Sequence, residues 1–371
     1  MKKIFVAATV QNAGKTTVSL GLYRAAQRKG YTPCFIKPVG QRYQIEDGEK
    51  VDEDAVLFKH ALSAKGLPKD LNPVSIPRGF TRDYIFNRKK QSLISHIEEA
   101  FSTLAEGCDV AIIEGTGHAG VGSVVDVSNA QVARRLNASC VIVSGGGIGS
   151  CIDEICLNRA LFEEKDVPIL GAIINKVYEK KYQSVAPAVR QGLKNQGIRC
   201  LGVIPYRKEL AAPTMRQFKD ELELEVLTGE QQLENRVENM VVAAMSPQNM
   251  IKYLKHGSLV IVPGDRIDNI LASVNSHLLR KKGQAPRISG MLLTGGFVPP
   301  EGVRKMMREA GVPVLLTDKD TASAAFEARS MVAKIREEDK DKIQMAEELV
   351  GGWSGWVDIE RLFDNAPDVE A

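Results

Sequence analysis

The stretch Ala8-Thr9-Val10-Gln11-Asn12-Ala13-Gly14-Lys15-Thr16 follows the apolar run Ile4–Ala8 and opens a helical pattern reaching about Arg28. A loop that cradles phosphate needs successive backbone N–H groups turned inward, a lysine for the terminal phosphates and a hydroxyl for Mg²⁺. Gly14 permits close backbone approach, Lys15 is placed for the β- and γ-phosphates, and Thr16 offers its hydroxyl to the metal. The positive end of the helix dipole faces the same anion. Asn12, Ala13, Gly14, Lys15, Thr16 and Thr17 are therefore the expected nucleotide-binding residues, with ATP and Mg²⁺ as ligands. The spacing departs from strict GxxxxGK[ST], since position 9 is Thr. A longer variant of the pattern would begin at Ala8, a small substitute for glycine. The competing reading is a chance Gly-Lys-Thr-Thr after a buried strand; the order strand, loop, helix argues against it.

Outward from this loop, short Val- and Ile-rich runs predict strands at Ile4–Ala8, Cys34–Pro38, Val110–Glu114, Cys140–Ser144, Gly171–Asn175 and Leu201–Pro205. Runs apolar on both faces, alternating with helical patterns, imply an α/β fold whose parallel sheet carries helices on both faces. The charged stretch 215–234, with Glu223 and Glu225 between leucines, reads as a linker helix closing a first domain at 1–214. A second, smaller α/β domain is expected over 235–350. Its predicted strands are Met240–Ala244, Leu259–Val262, Ser289–Leu293 and Val314–Thr317, with helices such as Pro247–Leu254 and Pro300–Ala310. From Arg336 onward the chain is acidic and reads as a helix plus tail, 351–371, whose Trp353 and Trp356 pack it onto the body.

With 371 residues the chain suits two domains. A hydrophobic fraction of 44%, a charged fraction of 26% and a net charge of +3 describe a soluble globular protein and argue against nucleic-acid binding. No apolar run approaches the roughly 20 residues of a membrane span, and the apolar N-terminus reads as a buried strand rather than a signal peptide. The six cysteines are scattered without a CxxC pair, which suggests neither zinc nor disulfides and points to the cytoplasm.

Other candidates cluster at strand ends. Glu114, before Gly115-Thr116-Gly117, stands where a carboxylate holds Mg²⁺ or its water. Asp54 is a further metal candidate on weaker evidence, since it lies in an acidic cluster and such clusters usually sit in solvent. With Thr16 these make the expected metal set. Lys37, before Pro38-Val39-Gly40, could neutralise a transferred phosphoryl group or sit on the surface; with Lys15 it is the expected catalytic pair. Asn175 could hydrogen-bond a base. His118 reads as a solvated loop residue.

In their order, Ala8–Thr17, Lys37-Pro38-Val39, Glu114-Gly115-Thr116-Gly117 and Gly171–Asn175 resemble the dethiobiotin synthetase-like P-loop domain. That group includes the nucleotide-binding half of cobyrinic acid a,c-diamide synthase and the N-terminal domain of long phosphate acetyltransferases. Leu201–Pro205 with Ala211-Ala212-Pro213-Thr214 resembles the last of these most. Gly264-Asp265-Arg266 and Thr294-Gly295-Gly296 resemble the two pieces of a DRTGG domain, turns at strand ends where a small-metabolite or contact site would be built. The resemblance implies that Lys15 and Thr16 hold ATP and Mg²⁺, that Glu114 and Asp54 complete the metal site, that Lys37 reaches the transferred phosphate and that Asn175 reads adenine. It also implies a homodimer. The expected function is an ATP-binding, ATP-hydrolysing protein with a regulatory DRTGG half. The alternatives are an ATP-dependent ligase that phosphorylates a carboxylate or carbamate, and a nucleotide sensor without turnover. No cysteine follows Cys200 to serve a glutaminase. The chain also leaves no room for the further catalytic domain of a phosphate acetyltransferase.

Overall fold

The computed structural model describes residues 1–87, 93–279, 287–331, 333–352 and 356–368. The chain divides into two compact units: Met1–Arg207 with Ile335–Ala371, and Lys208–Lys334 between them.

The first unit is built on a six-stranded parallel sheet: β1 Lys2–Ala8, β2 Pro33–Ile36, β3 Val110–Glu114, β4 Ser139–Ser144, β5 Ile169–Val177 and β6 Cys200–Pro205. Their order across the sheet is β6-β5-β4-β1-β3-β2. The central strands β1, β3 and β4 are buried along almost their whole length, which is why they read as unbroken apolar runs rather than alternating ones. The chain leaves β1 toward β2 on one side and later crosses to β4 on the other. This puts the reversal of strand order beside β1, where open α/β sheets bind ligands at their C-terminal edge. Helix α1, Lys15–Arg28, follows β1, and α2, Glu53–Leu62, follows an antiparallel hairpin of Tyr43–Glu46 with Glu49–Asp52. Phe58 of α2 stacks on Phe35 of β2 with centroids 3.6 Å apart. Helix α3, Gly149–Glu164, brings Phe162 against Phe5 of β1. Helix α4, Glu179–Asn195, lies between β5 and β6 in the chain.

In the second unit, β7 Glu225–Thr228, β8 Asn239–Val242, β9 Ser258–Pro263, β10 Ile288–Thr294 and β11 Val314–Leu316 form a sheet in the order β7-β11-β10-β9-β8. Strands β8 to β11 are parallel, and β7 runs antiparallel along the β11 edge. Alternate residues of one strand serve two cores. Val260 and Val262 join Met291, Leu293, Val314 and Met307 on one face, while Leu259 and Ile261 join Leu292, Leu315, Met215 and Phe218 on the other. The first face is covered by α6, Ile267–Leu279, and α7, Glu301–Ala310; the second by α5, Met215–Glu221, and α8, Thr321–Ser330.

Segment 215–234 is thus not one linker helix. It holds α5, opened by the Thr214–Gln217 capping box, and the edge strand β7. The Pro247–Leu254 helix is cut short, an α-turn at Pro247–Met250 running into a 3₁₀ turn at Ile251–Tyr253.

The chain after Lys334 returns to the first unit. Helix α9, Lys340–Gly351, packs along α1. A side chain added at Gly21 would collide with Val350, and one at Gly351 would press on Ala25. Arg24 Nε donates to Glu347 Oε1 at 2.8 Å. Beyond it, Val203 N–H donates to Trp356 O (3.2 Å) and Asp358 N–H to Leu201 O (2.8 Å), covering the open edge of β6. Trp356 meets Tyr182 edge-on, as expected of a packing tryptophan, and α10, Ile359–Asn365, follows. Trp353 lies outside the described residues.

Candidate functional site

The turn between β1 and α1 is wound by two left-handed residues, Asn12 (φ 62°) and Gly14 (φ 102°). Gly14 is the N-cap of α1, with no side-chain cap and no acidic residue in the first turn, so the first N–H groups of a 14-residue helix have no capping side chain. A side chain at Gly14 would also strike the amide of Asn175. Lys15 is buried at the start of the helix, and Thr16 is next to it.

Three elements place acids and a lysine beside Thr16. Lys37 follows β2 and Glu114 ends β3. Asp54 lies in the first turn of α2, whose N-cap Asp52 accepts from Asp54 N–H at 3.0 Å. The Thr16 hydroxyl lies 3.1 Å from both Asp54 Oδ1 and Glu114 Oε1. Lys37 Nζ donates to Asp54 Oδ2 at 2.6 Å and to Glu114 Oε1 at 3.0 Å. All three ionisable groups are buried, Glu114 completely. Burial alone would lower the Lys37 pKa, but Asp54, Glu114 and Asp52 outweigh it and hold the ammonium well above the usual lysine range. Glu114 Oε2 has no hydrogen-bond partner, a costly state for a buried carboxylate oxygen. The backbone of Lys37 is pinned as well: its N–H donates to Leu71 O, and Asn72 Nδ2 donates to its carbonyl at 2.8 Å.

The structure therefore brings Lys15, Thr16, Lys37, Asp54 and Glu114 together at one sheet edge. Asn175, on β5 two strands from β1, lies beneath the loop. Its Nδ2 donates to Ala13 O (3.0 Å) and its Oδ1 accepts from Lys176 N–H (2.8 Å). Lys176 Nζ reaches Asn12 O at 2.6 Å. Both residues hold loop carbonyls and so fix the path of residues 12–14. Two further groups escaped the sequence reading. The Thr9 hydroxyl donates to Glu154 Oε2 (2.8 Å) and accepts from Ser144, tying the loop to the end of β4. Asn129 clamps the turn after Glu114, accepting from Thr116 N–H and donating to the Thr116 and His118 carbonyls. Neither carries a linear motif, because each joins residues from separate elements. His118 is exposed, its Nδ1 accepting from Gly120 N–H.

In the second unit the two signature turns also meet: Gly264 N–H donates to Thr294 O at 3.0 Å. Gly295 (φ 81°) and Gly296 (φ 69°) need glycine's left-handed freedom, yet their N–H groups go to Lys319 O and Thr317 O. Arg266 forms a two-pronged pair with Asp268 at 2.9 Å, and the Thr294 and Thr321 hydroxyls are 2.7 Å apart. These signature groups fasten the turn to the β11–α8 junction.

Among the described residues no helix is long and apolar enough to cross a membrane, and no group of three or more His, Cys, Asp or Glu could hold a metal. The cysteines described are all free.

A family model for an AAA domain (AAA_26) matches residues 2–214, and one for the DRTGG domain matches 218–331. Phosphate acetyltransferase of Pseudomonas aeruginosa is 29% identical over 382 residues, spanning 98% of this chain and 52% of that enzyme. The enzyme of Nitratidesulfovibrio vulgaris is 27% identical over 352 residues (92% and 49%), and that of Escherichia coli K12 is 22% identical over 385 (96% and 52%). The chain spans about half the length of these curated relatives. Among solved structures, MinD cell division protein of Aquifex aeolicus is similar over 57% of this chain and 84% of its own, at TM-score 0.35 and 14% identity. The CBS and DRTGG domains of the regulatory region of Clostridium perfringens pyrophosphatase, complexed with activator diadenosine tetraphosphate, are similar over 32% of this chain and 46% of their own, at TM-score 0.26 and 19% identity. With TM-scores this low, the fold assignment rests on the sheet order and the family matches. The chain belongs to the AAA domain family, with a DRTGG domain joined to it in the arrangement shared with its phosphate acetyltransferase homologues.

Proposed function

We propose that this chain binds ATP with Mg²⁺ at the loop before α1 and hydrolyses it, and that its DRTGG unit is a regulatory half answering to a small metabolite. The observation that carries this reading is the Thr16 hydroxyl 3.1 Å from both the Asp54 and Glu114 carboxylates, at the uncapped start of α1. Mg²⁺ prefers hard oxygen ligands and fills its shell with water and phosphate, so one hydroxyl and two acids are a fitting protein share. The unpartnered Glu114 Oε2 agrees with that donor set. When bound, the metal would supply charge neutralisation for the β- and γ-phosphates. The N–H groups of residues 12–17 would wrap the phosphates, Lys15 and Lys37 would face the terminal one, and Asn175 with Lys176 would keep the loop in shape. Phosphoryl transfer asks for positioning and charge stabilisation, which these groups can provide. By kinship with one half of phosphate acetyltransferases, the nucleotide would act as a regulatory signal in a cytoplasmic homodimer.

Calorimetry of ATP with Mg²⁺, together with a phosphate-release assay, tests this on the native chain and on Lys15→Ala. Saturable binding lost in Lys15→Ala, with steady phosphate release, supports the proposal. Release only with a diamine and bicarbonate would assign ligase chemistry instead, and binding without release a sensor. Equal nucleotide affinity in both proteins would remove the site assignment.

A further inference from the structure

The two carboxylates at the candidate metal position already have a cation. Asp54 and Glu114 each touch both the Thr16 hydroxyl and the Lys37 ammonium, and Glu114 Oε1 is shared between the two. Lys37 and the two acids are each more than nine-tenths buried. Charges taken out of water must be compensated locally, because desolvation is repaid only by close pairing. Two acids need more than one positive charge, and Lys37 supplies one at hydrogen-bond distance. A divalent ion entering beside Thr16 would supply two. The ammonium would then face an excess of positive charge and lose its hold on Asp54 Oδ2 and Glu114 Oε1. It would move only if another anion received it.

We propose that Lys37 is a built-in counter-ion that competes with Mg²⁺ for Asp54 and Glu114, so that the site refuses the free metal and accepts it only when phosphate arrives to take over the lysine. Metal and nucleotide are thereby coupled through one side chain: each lowers the cost of binding the other. This rests on the nucleotide reading above for the identity of the phosphate ligand. The competition between lysine and metal stands on the buried triad alone.

The experiment uses Mn²⁺ as an Mg²⁺ probe and the full chain without nucleotide, with bound metal read by electron paramagnetic resonance. The native protein is expected to bind Mn²⁺ weakly. Lys37→Met, similar in length and uncharged, is expected to bind it about tenfold more tightly or better, since the buried acids lose the ammonium that competes for them. Adding Glu114→Gln should cancel the gain. If Lys37→Met is unfolded without metal, thermal denaturation is followed against Mn²⁺ concentration, and folding recovered by Mn²⁺ counts in favour. A folded Lys37→Met with native Mn²⁺ affinity, or an unfolded one that Mn²⁺ does not recover, overturns the proposal. ATP affinity is measured separately on the native chain. A Mn²⁺ gain without ATP binding would keep the competition and discard the nucleotide, whereas ATP binding without a Mn²⁺ gain would do the reverse.

Discussion

The residues that carry the proposed chemistry differ in how openly the sequence shows them. Gly14, Lys15 and Thr16 are contiguous, and the roles proposed for them rest on one strand–loop–helix turn, so the quoted stretch is enough to nominate them. Lys37, Asp54 and Glu114 are separated by up to 77 positions and meet only because β2 and β3 end, and α2 begins, at one sheet edge. Asp54 lies in a cluster that reads as a solvated face until the helix begun by Asp52 turns it inward. Asn175 is legible as a polar residue at a strand end, but its grip on Ala13 O depends on the order of strands on the β4 side of β1. Lys15→Ala is expected to weaken ATP binding roughly 30-fold or more, the usual effect of truncating one partner of a buried charge contact; calorimetry measures it. Glu114→Ala should leave nucleotide binding measurable while flattening its Mg²⁺ dependence in a titration of affinity against metal. A separate expectation concerns Cys108, a half-buried thiol. A hydrogen bond from Cys34, helped by Lys65, lowers its pKa to about 7. The thiolate forms as pH rises through that value, so alkylation followed by mass spectrometry should mark Cys108 first, with its rate half-maximal near pH 7. Buried Cys34 and Cys140, both pushed upward, should lag. Cys34→Ala should move the Cys108 profile to higher pH.

At the scale of elements, the strands were read well because parallel strands covered on both faces are written as short Val/Ile runs, from β1 through β6 and again in β9 and β10. Elements that break this rule were missed. The hairpin before α2 is exposed along most of its length, and its turn is Asp47-Gly48, both with positive φ (52° and 82°), the pairing that suits a two-residue hairpin. Strand β7 lies at an antiparallel edge with a charged residue at its start, which reads as helix when only the leucines are counted. The α1–α9 contact depends on small residues at Gly21, Ala25 and Gly351, and glycine within a helix is no sign of burial in a sequence. Gly21→Val is expected to cost about 1–3 kcal/mol by overpacking, read as a lowered urea midpoint of the first unit. Gly302→Ala in α7 is the contrast. A methyl there meets nothing within 4 Å, so it should be neutral or stabilise by roughly 0.5–1 kcal/mol as the unfolded chain loses conformational freedom.

For the whole molecule, the sequence placed two domains side by side, with a boundary near residue 214. The family matches divide the chain in nearly the same place, yet residues 335–371 belong with the first compact unit, so the second unit is an insertion. Local periodicity holds no record of this. The closing contacts join residues more than 300 positions apart, such as Arg24 with Glu347 and Lys2 with Ala366. A fragment of residues 1–214 is therefore expected to unfold in lower urea than a chain in which 1–207 is joined by a flexible linker to 335–371, since the fragment leaves the β6 edge and the glycine face of α1 uncovered. Circular dichroism during urea titration compares them, and equal midpoints would make the returning segment an ornament. The same arrangement dictates an order of events on the ribosome. Domains generally fold as they emerge, but here the first unit is begun before the inserted one and finished after it: residues 335–371 are made only once every residue of the inserted unit has been synthesised. The inserted unit can settle while its host is still waiting, so nascent chains stalled soon after residue 334 would carry an incomplete first unit and a maturing inserted one.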